Sequence, residues 1–87
     1  MNIFKYGLPM SYKEDVVLMP EGAKILSVDQ QNDTPYLWAL VNPSAPLKAK
    51  RFNVYGTGHV VPLNPGVFIG TVLLMDGALV VHVFEVS

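Results

Sequence analysis

Apolar residues in this chain fall into short runs broken by prolines and glycines, not into stripes of helical period. No window of twelve or more residues carries an i, i+3, i+4 apolar pattern, so the pattern predicts an all-β chain. Strands are expected at Asn2 to Tyr6, Glu14 to Met19, Lys24 to about Gln31, Tyr36 to Val41 and about Lys50 to Tyr55. Turns fall at Gly7-Leu8-Pro9, Pro20 to Ala23, Asn32 to Pro35 and Asn42 to Pro46. The expected fold is one small antiparallel domain over residues 1–87, a β-sandwich or partly open barrel of six to seven strands, because either closure hides sheet edges and an apolar interior.

The stretch Val67 to Ser87 is the clearest element. Two apolar runs flank Asp76-Gly77, and an Asp-Gly pair suits a type I′ turn, which needs positive φ at both central residues. That turn fixes a register. Met75 faces Ala78, Leu73 faces Val80, Thr71 faces His82 and Ile69 faces Phe84 on one side, with Leu74–Leu79, Val72–Val81 and Gly70–Val83 on the other. Neither side is polar, so the hairpin calls for cover on both faces, from a second sheet or from another copy of the chain. Elsewhere the alternation is more ordinary. Leu26 and Val28 are expected on one face of the third strand, opposite Ser27, Asp29 and Gln31. Glu14 and Asp15 read as a solvated strand start, and the unbroken run Tyr36 to Val41 marks Trp38 as a core anchor.

Composition sharpens the expectation of self-association. A chain of 87 residues buries only about 60% of its unfolded surface, and without cysteine it has no disulfide to compensate. Only 15% of residues are charged against 51% apolar, too little charge to coat a lone small domain generously. A homo-oligomer is therefore expected. The formal charge of −1 and pI near 6.0 give no global reason to bind long nucleic acid or an anionic membrane. Residues 1–6 have neither the basic start nor the apolar core of a signal peptide, which points to a cytoplasmic protein. No cofactor is expected.

Candidate chemistry concentrates in and after the fifth strand. Lys48, Lys50 and Arg51 are half of the six basic residues. Arg51, Asn53 and Tyr55 alternate onto one face, so a phosphate held by Arg51 could have its base stacked on Tyr55. In Gly56-Thr57-Gly58-His59 two glycines flank a hydroxyl, which lets backbone N–H groups approach an anion. The same glycines equally make a tight turn capped by His59. Lys50, Arg51, Tyr55, Gly56, Thr57, Gly58 and His59 are the candidate ligand-binding set. His82, opposite Thr71, reads as a hydrogen-bonded histidine or as the wall of a pocket. Metal binding finds no HxH or HxxxH spacing, and nucleophilic catalysis finds neither cysteine nor a G-x-S-x-G elbow. The chain does not read as an enzyme.

Several segments together resemble a family of small accessory proteins encoded by tailed phages and prophages: F-K-Y at Phe4 to Tyr6, M-P-E-G-A-K-I-L-S-V at Met19 to Val28, L-W-A-L-V-x-P at Leu37 to Pro43, R-F-x-V-Y-G-T-G-H at Arg51 to His59, I-G-T at Ile69 to Thr71 and H-V-F-E at His82 to Glu85. The resemblance implies the cytoplasm of an infected bacterium as the setting. There, small non-enzymatic proteins often counter host defence. The expected function is sequestration of a nucleotide-type immune signal, such as a cyclic nucleotide. A protein-binding antagonist of a defence or CRISPR complex is the first alternative, and a small phosphodiesterase built on His59 and His82 is the second.

Overall fold

The computed structural model describes residues 1–11 and 13–86; the last residue of the expected hairpin stretch, Ser87, lies outside them. Among the described residues the chain forms seven strands, β1 (Asn2–Gly7), β2 (Asp15–Pro20), β3 (Lys24–Gln31), β4 (Thr34–Val41), β5 (Leu47–Gly56), β6 (Val67–Leu74) and β7 (Leu79–Val86). They build a sandwich of two antiparallel sheets, ordered β1-β4-β3 and β2-β5-β7-β6. Leu8, Met19, Leu37, Phe52, Val72 and Val83 are nearly or completely buried between them.

The terminal hairpin keeps the register its turn implies. Leu74–Leu79, Leu73–Val80, Val72–Val81, Thr71–His82 and Gly70–Val83 pair as expected, and Asp76 and Gly77 sit at φ of 54° and 86°. Met75 also takes a positive φ of 51°. The ladder therefore ends at Leu74–Leu79 rather than at Met75–Ala78, although the Ala78 N–H still donates to the Met75 carbonyl at 3.0 Å. Further along, a bulge between Phe68 and Gly70 pairs Phe84 with Phe68 instead of Ile69. One face of the hairpin is spent on the core through Val72, Leu74, Val81 and Val83, while Phe68 and Leu73 on the other remain exposed.

A second bulge lies in β3 between Ile25 and Ser27. It turns Leu26 outward, so Leu26 is exposed while Val28 packs against the core, contrary to simple alternation. Bulges bend and twist a strand, and these two lie where the sheets meet. A Cβ on Gly70 would stand 2.7 Å from Val28 Cγ1, so glycine is what lets β6 approach β3 this closely. The adjoining turns are tied as well: Asp33 Oδ1 accepts the Met75 N–H at 3.0 Å. The sandwich is thus drawn together along the β3/β6 side, leaving β1 and β2 as the other two sheet edges.

Three further expectations from the sequence need correction. β4 starts at Thr34 and includes the buried Pro35, because Asn32 and Asp33, at φ of 53° and 58°, complete the turn alone. Proline is tolerated there since the β1 ladder stops at Gly7–Tyr36, so its missing N–H costs no ladder bond. Trp38 is no core anchor. Alternation buries Pro35, Leu37, Ala39 and Val41 and leaves Trp38 half-buried on the outer face, 6.4 Å from the Tyr36 ring. Asp15 is not solvated: it is 3% exposed, and its carboxylate accepts the N–H groups of Met10 at 3.0 Å and Ser11 at 2.8 Å.

Candidate functional site

β5 carries the candidate residues and distributes them over two faces and two ends of its sheet. Successive strand residues point to opposite sides. Phe52 is in the core, which places Lys50 on its inward side and Arg51, Asn53 and Tyr55 on the outward one. The anticipated grouping of Arg51, Asn53 and Tyr55 on one face therefore holds, but Lys50 is not part of it. Along the strand, Arg51 and Thr57 are six residues apart, or roughly 20 Å at strand rise.

At the upper end, Gly56 to His59 form a tight turn. The His59 N–H donates to the Gly56 carbonyl at 3.1 Å, and Gly58 adopts a φ of 88° that suits glycine. The His59 ring folds back over Gly56, where an added Cβ would lie 2.8 Å from Cε1. Thr57 is locked to β7 by its N–H, which donates to the Val80 carbonyl at 3.1 Å. Its hydroxyl lies 2.8 Å from His82 Nε2, while Thr71 Oγ1 lies 3.0 Å from His82 Nδ1. One arrangement of protons satisfies the group: Thr57 donates to the Val80 carbonyl at 3.4 Å, accepts from Nε2–H, and Nδ1 accepts from the Thr71 hydroxyl. Both ring nitrogens of His82 are then engaged. The sequence pairs His82 with Thr71; the contribution of Thr57 comes from the turn after β5 and carries no local sequence signal.

Beside this network an aromatic row crosses the outer face. Tyr55 meets Phe84 edge-on at 5.8 Å between centroids, and Phe84 meets Phe68 likewise at 5.4 Å. Such edge-to-face pairs are favourable contacts in their own right.

At the lower end, a cleft of about 350 Å³ opens between the Pro20–Ala23 turn, the start of β5 and the end of β7. Lys48, Lys50 and Arg51 border it, together with Glu21 and Glu85, so three positive groups stand against two negative ones. Glu85 holds Lys50 at 3.1 Å. Arg51 reaches Glu14 at 3.5 Å, both side chains remaining well exposed. Lys48 is exposed and has no ion-pair partner among the described residues. The cleft thus brings Lys50 and Arg51 together with Lys48. Tyr55 and Gly56 to His59 are not among its lining residues.

Among the described residues no cluster of three or more His, Asp or Glu side chains is arranged to hold a metal. A family model matches residues 1–87 from end to end. The chain belongs to the DUF7352 family. The family is described as a domain of unknown function. No curated protein and no solved structure matches the chain.

Proposed function

We propose that this protein is a non-catalytic binding protein that captures a phosphate-bearing ligand of nucleotide type at the cleft beside the lower end of β5. In the phage setting implied by its sequence resemblance, it would withdraw a nucleotide immune signal from the infected host. The observation that carries this reading is the gathering of half the chain's basic residues, Lys48, Lys50 and Arg51, around one cleft. At about 350 Å³ it is within the usual range for small-ligand sites. Lys48 offers an ammonium that no carboxylate holds in an ion pair among the described residues, while Glu85 and Glu14 hold Lys50 and Arg51 in place.

Hydrolysis by a pair of histidines has little support. His82 is occupied at both ring nitrogens by Thr57 and Thr71, and a general base must be within hydrogen-bond reach of the proton it takes.

A second reading, binding to a host protein, is favoured by one observation. In the β5–β6 connection Val60 and Leu63 are 92% and 94% exposed, and prolines at 62 and 65 restrain the backbone there. Exposed apolar side chains on a stiffened loop suit insertion into a partner's pocket.

A nucleotide thermal-shift panel separates the two readings, followed by recovery of the ligand after heat denaturation. The proposed function requires that a nucleotide raise the melting temperature, that it be recovered intact, and that Lys48→Glu abolish the shift. A panel without any shift leaves the protein-binding reading as the better one.

A further inference from the structure

Resting on the nucleotide reading above, we infer that the cleft takes a ligand of single negative charge and one-nucleotide size, a cyclic mononucleotide phosphodiester. Glu85 and Glu21 are the residues that turn away more highly charged phosphates. Three cationic groups line the cleft, Lys48, Lys50 and Arg51, and so do two carboxylates, Glu21 and Glu85. The lining therefore carries a net charge of +1. That matches a phosphodiester, which bears one negative charge, better than a phosphomonoester, which carries about −1.5 to −2 at neutral pH, or a triphosphate.

Position reinforces the charge balance. Glu85 Oε2 lies 3.1 Å from Lys50 Nζ, and both side chains are about three-quarters shielded from solvent, so an anion bonded to Lys50 stands directly beside a carboxylate. Like charges brought together in a site cost affinity, and each added charge on the ligand raises the cost. An ionised carboxylate only accepts hydrogen bonds, so Glu85 cannot bond an ionised phosphate oxygen. Glu21, exposed on the Pro20–Ala23 turn, has no ion-pair partner among the described residues and adds a second repulsion of this kind. Both carboxylates can accept from hydroxyls and amines instead. A cyclic ribonucleotide keeps its 2′-hydroxyl and, for adenine, guanine and cytosine, an exocyclic amine. Lys48, which no carboxylate holds in an ion pair among the described residues, is left for the one phosphate charge. Size agrees. At about 350 Å³ the cleft lies near the lower end of the roughly 300–1,000 Å³ of small-molecule sites, which gives room for one nucleotide and not for two joined in a ring.

The test is isothermal titration calorimetry on the full chain at fixed ionic strength, with circular dichroism to confirm folding. The probes are the 3′,5′-cyclic, 5′-mono- and 5′-triphosphates of adenosine, guanosine, cytidine and uridine, together with cyclic di-AMP and cyclic di-GMP. For the preferred base, the cyclic mononucleotide is expected to bind about tenfold or more tighter than its 5′-monophosphate, its triphosphate and either cyclic dinucleotide. Glu85→Gln should tighten the triphosphate most and shrink that preference to about threefold or less. Glu21→Gln, on an exposed turn where folding is not at stake, should shrink it in the same direction. A monophosphate, triphosphate or cyclic dinucleotide that binds as tightly as any cyclic mononucleotide overturns this ligand class; if Lys48→Glu abolishes that binding, the nucleotide reading still stands. A preference unchanged in Glu21→Gln and in folded Glu85→Gln overturns the role of the two carboxylates. Binding of no probe removes the nucleotide reading and this class with it.

Discussion

Replacing Asp15 with alanine removes the one buried carboxylate among the described residues and tests how the β1–β2 connection is fastened. Its two oxygens accept the N–H groups of Met10 and Ser11 at 3.0 and 2.8 Å, and the residue is 3% exposed. A hydrogen bond to a charged group is worth about 1.5–3 kcal/mol. Opening of the loop to water recovers part of that for both N–H groups, so the expected loss is roughly 2–4 kcal/mol. A domain of 87 residues has only about 4–13 kcal/mol in total. The melting temperature should therefore fall by roughly 10–20 °C. Asp15→Asn, which keeps one acceptor oxygen, should lose about half as much. The assay is thermal or urea unfolding followed by far-ultraviolet circular dichroism. If Asp15→Ala melts within about 2 °C of wild type, the carboxylate does not fasten this connection and the reasoning fails.

Gly66→Ala should prevent stable folding, since its Cβ would lie 2.2 Å from the Glu85 carbonyl oxygen at a φ of 104°; a soluble variant with a wild-type spectrum would contradict this. Trp38→Ala should cost about 1–2 kcal/mol, below the 3–5 kcal/mol of a fully buried ring, and folded wild type should show indole emission only partly blue-shifted. Thr57→Val should expose His82 Nε2 and detach the turn after β5, speeding amide exchange at Thr57 and His59 while the core amides stay protected; unchanged exchange would show the hydroxyl to be dispensable. Arg51→Ala should leave the melting temperature nearly unchanged, because exposed ion pairs contribute little, while weakening nucleotide binding in a salt-dependent way.

Much of the fold is legible where a turn residue dictates geometry. Asp76-Gly77 sets five hairpin pairs, and proline and glycine place most of the turns. The departures arise where tertiary packing decides. The β3 bulge has no local signal, Leu26 being an ordinary strand residue, whereas the β6 bulge adjoins Gly70, a strand glycine of the kind that marks a bulge or close approach. Both arise where β3 and β6 bend toward each other at Val28 and Gly70. Trp38 misleads because an apolar run does not reveal which face meets the second sheet. Asp15 misleads because its partners are backbone N–H groups, which every residue but proline carries. The candidate site is legible in part. Strand alternation groups Arg51 with Tyr55, but the sequence reading expects Arg51 and the Gly56 to His59 turn to line one cleft with Lys50. Lys50 is instead on the other face of β5, and the turn, at the strand's far end, is not among the residues that line the cleft. Lys48 belongs to the basic cluster the sequence shows beside Lys50 and Arg51, while the cleft they border arises from the approach of the Pro20–Ala23 turn and the end of β7, contacts distant in the chain.

The most direct test of the binding account is to map a nucleotide that raises the melting temperature onto the backbone by amide chemical-shift perturbation in solution. The account predicts shifts concentrated at Glu21, Gly22, Lys48 to Arg51 and Glu85, lost in Lys48→Glu. Shifts confined to Gly56 to His59 and the far end of β5, or spread without focus, would contradict it.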